Sequence, residues 1–118
     1  MEGNLKDFDA FRAEMNDEIL GGDHLGIKRF FALDHQAYTP GALGTKTKEL
    51  LGLVASAVLR CDDCITYHVV RCAEEGWTRA EVIDALNVAL VVGGSITIPH
   101  LRRAFARMRE IENVNPSA

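Results

Sequence analysis

Two helix-length stretches, Leu50 to Leu59 and Val82 to Val92, are apolar almost all the way round. In the first nearly every position is Leu, Val or Ala; in the second only Asp84 and Asn87 interrupt the run. A helix of that character needs cover on more than one side. A bilayer does not provide it, because Leu50 to Leu59 and Ala85 to Val92 are too short and too interrupted to span one. These helices must be enclosed by other helices of the chain or by other copies of it. Six short helices supply few neighbours, so the expectation is a homo-oligomer with the apolar helices at its interface.

The rest of the chain agrees with a helical reading. Leu5, Phe8, Phe11, Met15 and Ile19 recur at spacings of three and four, predicting a helix over Leu5 to Leu20 that Gly21 and Gly22 stop. Asp23 is placed to cap a second helix running to about Tyr38, with Leu25, Phe30, Leu33 and Ala37 facing inward. Thr39-Pro40-Gly41 breaks it. Thr45 or Thr47 opens a third helix reaching about Arg60, and a fourth spans Asp62 to Glu75 with Gly76 as its left-handed stop and Trp77 packing behind. Thr78-Arg79-Ala80-Glu81 forms a capping box for the fifth, through Val92. A last helix starts between Ser95 and Pro99, nearer Pro99, because proline is tolerated only in a first turn. Leu101, Ala104, Phe105, Met108 and Ile111 give it one buried stripe, and Asn113 to Ala118 should fray. With no β-alternation, the fold class is all-α with about six helices.

The 118 residues fit a single domain, 1–118, and 47% apolar content marks a globular chain. A net charge of −4 argues against sequence-independent nucleic-acid binding. The cluster Arg102, Arg103, Arg107 and Arg109 reads as charge in the last turns of a helix, where it complements the dipole. No basic segment leading into an apolar one opens the chain, so no secretory signal is read there. Three cysteines in such a chain do not make a disulfide framework, and the expected compartment is the reducing cytoplasm, away from membranes.

Chemistry concentrates between Glu49 and Cys72. Cys61-Asp62-Asp63-Cys64 stands where the fourth helix begins, and the N–H groups and positive dipole end of a helix favour a thiolate there. Two residues between the cysteines let the sulfurs meet in a disulfide. Asp62 and Asp63 act against the thiolate, unless one of them is engaged as the N-cap. His68, four residues after Cys64 and seven after Cys61, shares their helical face and can take up and return a thiol proton. Cys72 continues that stripe as either a third redox thiol or, more often for such a residue, a small buried hydrophobe. His24 and His35 receive no role. Tyr67, Phe30 and Phe31 read as core before pocket lining, and His100 as a first-turn surface residue.

The spacing Glu49-x11-Cys61-x2-Cys64-x3-His68 resembles the motif of the alkylhydroperoxidase D-like (AhpD-like) branch of the carboxymuconolactone decarboxylase family. The similarity extends over roughly Thr45 to Arg109, taking in the Gly-Trp-Thr turn and the Gly93-Gly94 end of the fifth helix. The resemblance implies an all-helical, oligomeric protein, a trimer or hexamer, that reduces hydroperoxides with thiols. By position, Cys64 matches the peroxide-attacking cysteine, Cys61 its disulfide partner, and Glu49 with His68 the proton relay. The best-characterised members carry a histidine just before the second cysteine, where this chain has Asp63. The motif also speaks against lactone decarboxylation, since the decarboxylase branch does not use this cysteine pair.

Three readings compete. In the first, Cys64, Cys61, His68 and Glu49 are catalytic in a thiol peroxidase or disulfide reductase that needs no cofactor or metal and draws on an unknown dithiol donor. In the second, Cys61, Cys64 and His68, with Glu49, surround zinc, although only one of the usual two knuckles is present. The third is a non-catalytic oligomeric module in which a disulfide locks a helix start. One geometric obstacle faces the relay. Glu49 precedes Cys61 by about 18 Å of helix, so in a simple antiparallel hairpin it would overshoot His68.

Overall fold

The computed structural model describes residues 3–114 and divides into two compact units, Met1–Gly41 and Ala42–Ala118. Six α-helices account for nearly all regular structure among the described residues: α1 (Leu5–Gly21), α2 (Leu25–Ala37), α3 (Thr45–Leu59), α4 (Asp62–Glu74), α5 (Arg79–Gly93) and α6 (Ile98–Val114). A 3-10 turn, Ser95–Thr97, leads into α6 and puts Pro99 in its first turn, where the missing N–H does no harm. Asn113 and Val114 are helical; the remaining residues of the expected frayed end lie outside the described ones.

In the first unit, α1 starts with a capping box between Asn4 and Asp7. The cap of α2 is His24 and not Asp23: its Nδ1 accepts the N–H of Ile27 at 3.2 Å, the service an aspartate oxygen would give one residue earlier. The inward stripes expected of these helices are not buried. No residue of α1 or α2 is enclosed, and Phe11, Phe30 and Leu33 are 66%, 67% and 63% exposed. The two helices pack only on each other within the unit, and a single seam between helices has no third layer to close over it.

The second unit has that further layer. There α3 packs against both α4 and α5, and α4 packs against α6. Leu53 and Ala57 of α3, Ile65, Val69 and Cys72 of α4, Val82, Leu86 and Ala89 of α5, and Ala104 and Met108 of α6 form one buried core. The opposite faces of the two apolar helices remain open, with Leu59, Val91 and Val92 at 75%, 77% and 70% exposure.

The joints are set by local chemistry. Gly76, at φ +94°, ends α4: its N–H meets the Ala73 carbonyl and that of Trp77 the Cys72 carbonyl. The Trp77 indole then donates to the Lys46 carbonyl at 2.7 Å, fastening the end of α4 to the start of α3. Thr78 and Glu81 make both bonds of the capping box. Gly93 admits no side chain, since a Cβ there would run into the Thr97 hydroxyl. The start of α3 differs from expectation in that Gly44 caps it without a side-chain bond.

Candidate active site

Between α3 and α4 lie only Arg60 and Cys61. Arg60 adopts the left-handed conformation (φ 61°) that closes α3, and the Cys61 N–H reaches back to the Ser56 carbonyl at 3.1 Å. Cys61 is left extended as the N-cap of α4, its sulfur accepting the Cys64 N–H at 3.4 Å. The cap is therefore a cysteine, not Asp62 or Asp63. The two sulfurs stand 2.7 Å apart, a sub-ångström adjustment from the disulfide length of about 2.05 Å. Cys61 is half-buried and Cys64 exposed, so an incoming molecule meets Cys64 first.

Further along α4 the surroundings become dry. His68 is buried, and its Nδ1 lies 2.9 Å from Oε1 of Glu49, itself only 2% exposed. This direct contact removes the obstacle that spacing along the helix raised, and no bridging water is needed. A buried carboxylate requires partners for both oxygens. Here Oε2 faces Nε of Arg71 at 3.4 Å, a residue the sequence gave no reason to single out. Arg71 also binds Glu74 and Glu75, at 2.8 and 3.2 Å. The Glu74 hydrogen bond, joined by the charge of Glu49 and opposed by burial, holds its guanidinium above the ordinary arginine range. Glu49 thus sits between an imidazole that can move a proton and a cation that keeps its charge.

Cys72 occupies the core at 0% exposure. Burial first, and then the negative charge of Glu49, pushes its thiol up to about 12. It is a packed hydrophobe, as its place on the apolar stripe suggested. Tyr67 is half-buried and meets the His68 ring edge-on at 5.1 Å between centroids. Phe30, expected in the core, is exposed in the first unit.

Two further departures concern α6. His100 is not a surface bystander, because its Nδ1 lies 2.8 Å from Oδ1 of Asp62. Arg103 binds the other oxygen of the same carboxylate. Arg107 is buried, with Nε on the Thr66 hydroxyl and Nη1 on Glu110, so these arginines hold α6 against α4 and do not complement its last turn. A small open cleft lies elsewhere, lined by Val69, Ala73, Trp77, Arg79 and Met108 among others, and includes none of Glu49, Cys61, Cys64 or His68. Among the described residues, no three His, Cys, Asp or Glu side chains are grouped so as to hold a metal ion.

The model of the carboxymuconolactone decarboxylase family matches residues 27–107, more than half of the chain. The chain belongs to that family. Two crystal structures from Thermotoga maritima, each 54% identical to this chain, share its fold. One covers 97% of this chain and 100% of its own at a TM-score of 0.92. The other, with a TM-score of 0.87 over 95% and 97%, is of a carboxymuconolactone decarboxylase family protein for which a role in an antioxidative response has been suggested. A family member from Legionella pneumophila, in its apo form, is 28% identical with a TM-score of 0.65 over 89% of this chain and 87% of that one. An uncharacterised protein of the cox locus of Paracoccus denitrificans is 31% identical over 70% of this chain and 75% of its own length. In this member of the carboxymuconolactone decarboxylase family, α4 carries both the cysteine pair and the histidine, and α3 delivers the glutamate.

Proposed function

We propose that the chain is a thiol-dependent peroxidase or disulfide oxidoreductase of the AhpD-like branch, working through Cys61 and Cys64. The observation that carries this reading is the buried Glu49–His68 hydrogen bond of 2.9 Å on the helix whose first turn holds two sulfurs 2.7 Å apart. A histidine oriented by a carboxylate, one turn beyond a cysteine, is equipped to pass protons during thiol chemistry. The suggested antioxidative role of the Thermotoga maritima relative points the same way.

In the first step the Cys64 thiolate attacks a peroxide oxygen. The S–O bond forms as the O–O bond breaks, the sulfur is oxidised to a sulfenic acid, and the departing alkoxide takes a proton from His68 to leave as an alcohol. Cys61, as thiolate, then attacks the Cys64 sulfur. The S–S bond forms, the S–O bond breaks, and the hydroxide leaves with a proton as water. A cellular dithiol restores both thiols by exchange and is itself oxidised to a disulfide. The greater exposure of Cys64 supports giving it the first attack and Cys61 the resolution.

The open apolar faces around Leu59, Val91 and Val92 support a homo-oligomer, trimer or hexamer, covering them. The family match begins within α2 and ends within α6, which supports treating 1–118 as one functional domain. Among the described residues no helix is long and apolar enough to cross a membrane, and we place the protein in the cytoplasm. The test is hydroperoxide turnover with a dithiol donor. Cys64→Ser and Cys61→Ser should each abolish it and Cys72→Ser should not; full activity in Cys64→Ser removes the mechanism. A monomeric mass in sedimentation at micromolar concentration removes the oligomer.

A further inference from the structure

Asp62 and Asp63 lie between the cysteines, and a carboxylate beside a thiol opposes its ionisation. The fold treats the two differently. Asp63 is exposed. Asp62, the first residue of α4 and directly bonded to Cys61, is held from α6: His100 Nδ1 meets Oδ1 at 2.8 Å and Arg103 Nη1 meets Oδ2. The His100 and Asp62 side chains are 16% and 33% exposed, so their contact is less screened by solvent than a surface pair, while Arg103, at 42%, meets the same carboxylate from the more exposed side. The Glu49–His68 relay does not involve it. It is also the contact that brings α6 to the first turn of α4, where the Cys64 N–H meets the Cys61 sulfur.

We propose that His100 and Arg103 are positioning residues that act through Asp62 to set how readily Cys61 ionises, and with it the pace at which Cys61 closes onto Cys64. Arg103 and His100 hold the Asp62 carboxylate from α6, and a cation paired with a carboxylate offsets part of its charge at the neighbouring residue. This inference deepens the peroxidase reading and rests on it for its biological meaning, while its test requires no peroxide. The contact also differs from a mere clamp between helices in a way that can be measured. A clamp weakens whichever side is cut, whereas a charge effect changes sign with the charge removed.

The test is the rate at which iodoacetamide alkylates Cys61 at pH 7 and low salt, in a Cys64→Ser background. Arg103→Gln leaves the Asp62 charge uncompensated and should slow alkylation about threefold. Asp62→Asn removes the negative charge and leaves the cation, and should speed it by about the same factor. The double variant should fall between them. His100→Ala should slow the reaction less than Arg103→Gln, and Arg103→Lys, which keeps the charge if glutamine costs the fold, should match the parent. Rate changes of the same direction in Arg103→Gln and Asp62→Asn, or no change in either, overturn the proposal. Opposite changes in a protein that turns over no peroxide would overturn only the peroxidase reading.

Discussion

The two ends of α4 place cysteines in opposite circumstances. At its start, Cys61 caps the helix by accepting the Cys64 N–H, the two sulfurs stand 2.7 Å apart, and Cys64 faces solvent. Roughly two turns on, Cys72 is enclosed by the core, its thiol pushed up to about 12 by burial and by Glu49. One helix thus carries an accessible pair of sulfurs at its start and an enclosed thiol near its end. Between them, His68 and Glu49 join the dry end to the wet one. That carboxylate–imidazole pair is shielded from water, whereas Cys64 is exposed.

The contrast can be broken most severely at the pair itself. Turnover of a hydroperoxide should fall about a thousandfold or more in Cys64→Ser, whereas Cys72→Ser should keep it within about twofold of wild type; a comparable loss in both would erase the distinction. Cutting the link between the ends is the next largest change. His68→Asn or Glu49→Gln should lower turnover about a hundredfold, with Cys61 and Cys64 still able to form a disulfide under a strong oxidant. On the buried side, Leu53→Ala opens a cavity at a residue of 0% exposure and should cost about 2–5 kcal/mol in denaturant unfolding.

Cys72 sharpens the comparison through pH. Burial, then the charge of Glu49, pushes its folded thiol up to about 12 from 9.0. Above pH 9 the unfolded chain therefore loses this proton while the folded chain keeps it. The contribution of Cys72 to stability is fully present below that pH and is lost as pH rises toward 12. Cys72→Ala should accordingly show a shallower alkaline decline in Tm than wild type. The smallest expected effect lies at the hinge before Cys61, where Arg60→Gly should add up to about 1 kcal/mol by relieving a left-handed backbone.

What could be read from the sequence follows the range of the interactions involved. Helix limits depend on neighbours three and four residues apart, so the Thr78–Glu81 box, the Gly76 stop and the placement of Pro99 were all legible. The cap of α2 was misplaced by one residue because histidine is an unusual cap and Asp23 an ordinary one. Periodicity located the apolar stripes of α1 and α2 but carries no information about what covers them, which is why Phe30 and Leu33 were expected inside and lie outside. Within the site, the pair and His68 follow from local spacing. The meeting of Glu49 with His68 came only from the motif, since the two are nineteen residues apart. The grip of His100 and Arg103 on Asp62, across about forty residues, left no trace in any pattern; it depends on how α6 lies against α4.

The central claim is that the two sulfurs at the start of α4 cycle between dithiol and disulfide while the third stays apart. The most direct measurement is peptide mass mapping after one equivalent of hydroperoxide, with remaining thiols alkylated only once the chain is unfolded. The account predicts a Cys61–Cys64 disulfide and a fully alkylated Cys72. Cys61 and Cys64 both recovered as alkylated thiols, or Cys72 found in the disulfide, would contradict it.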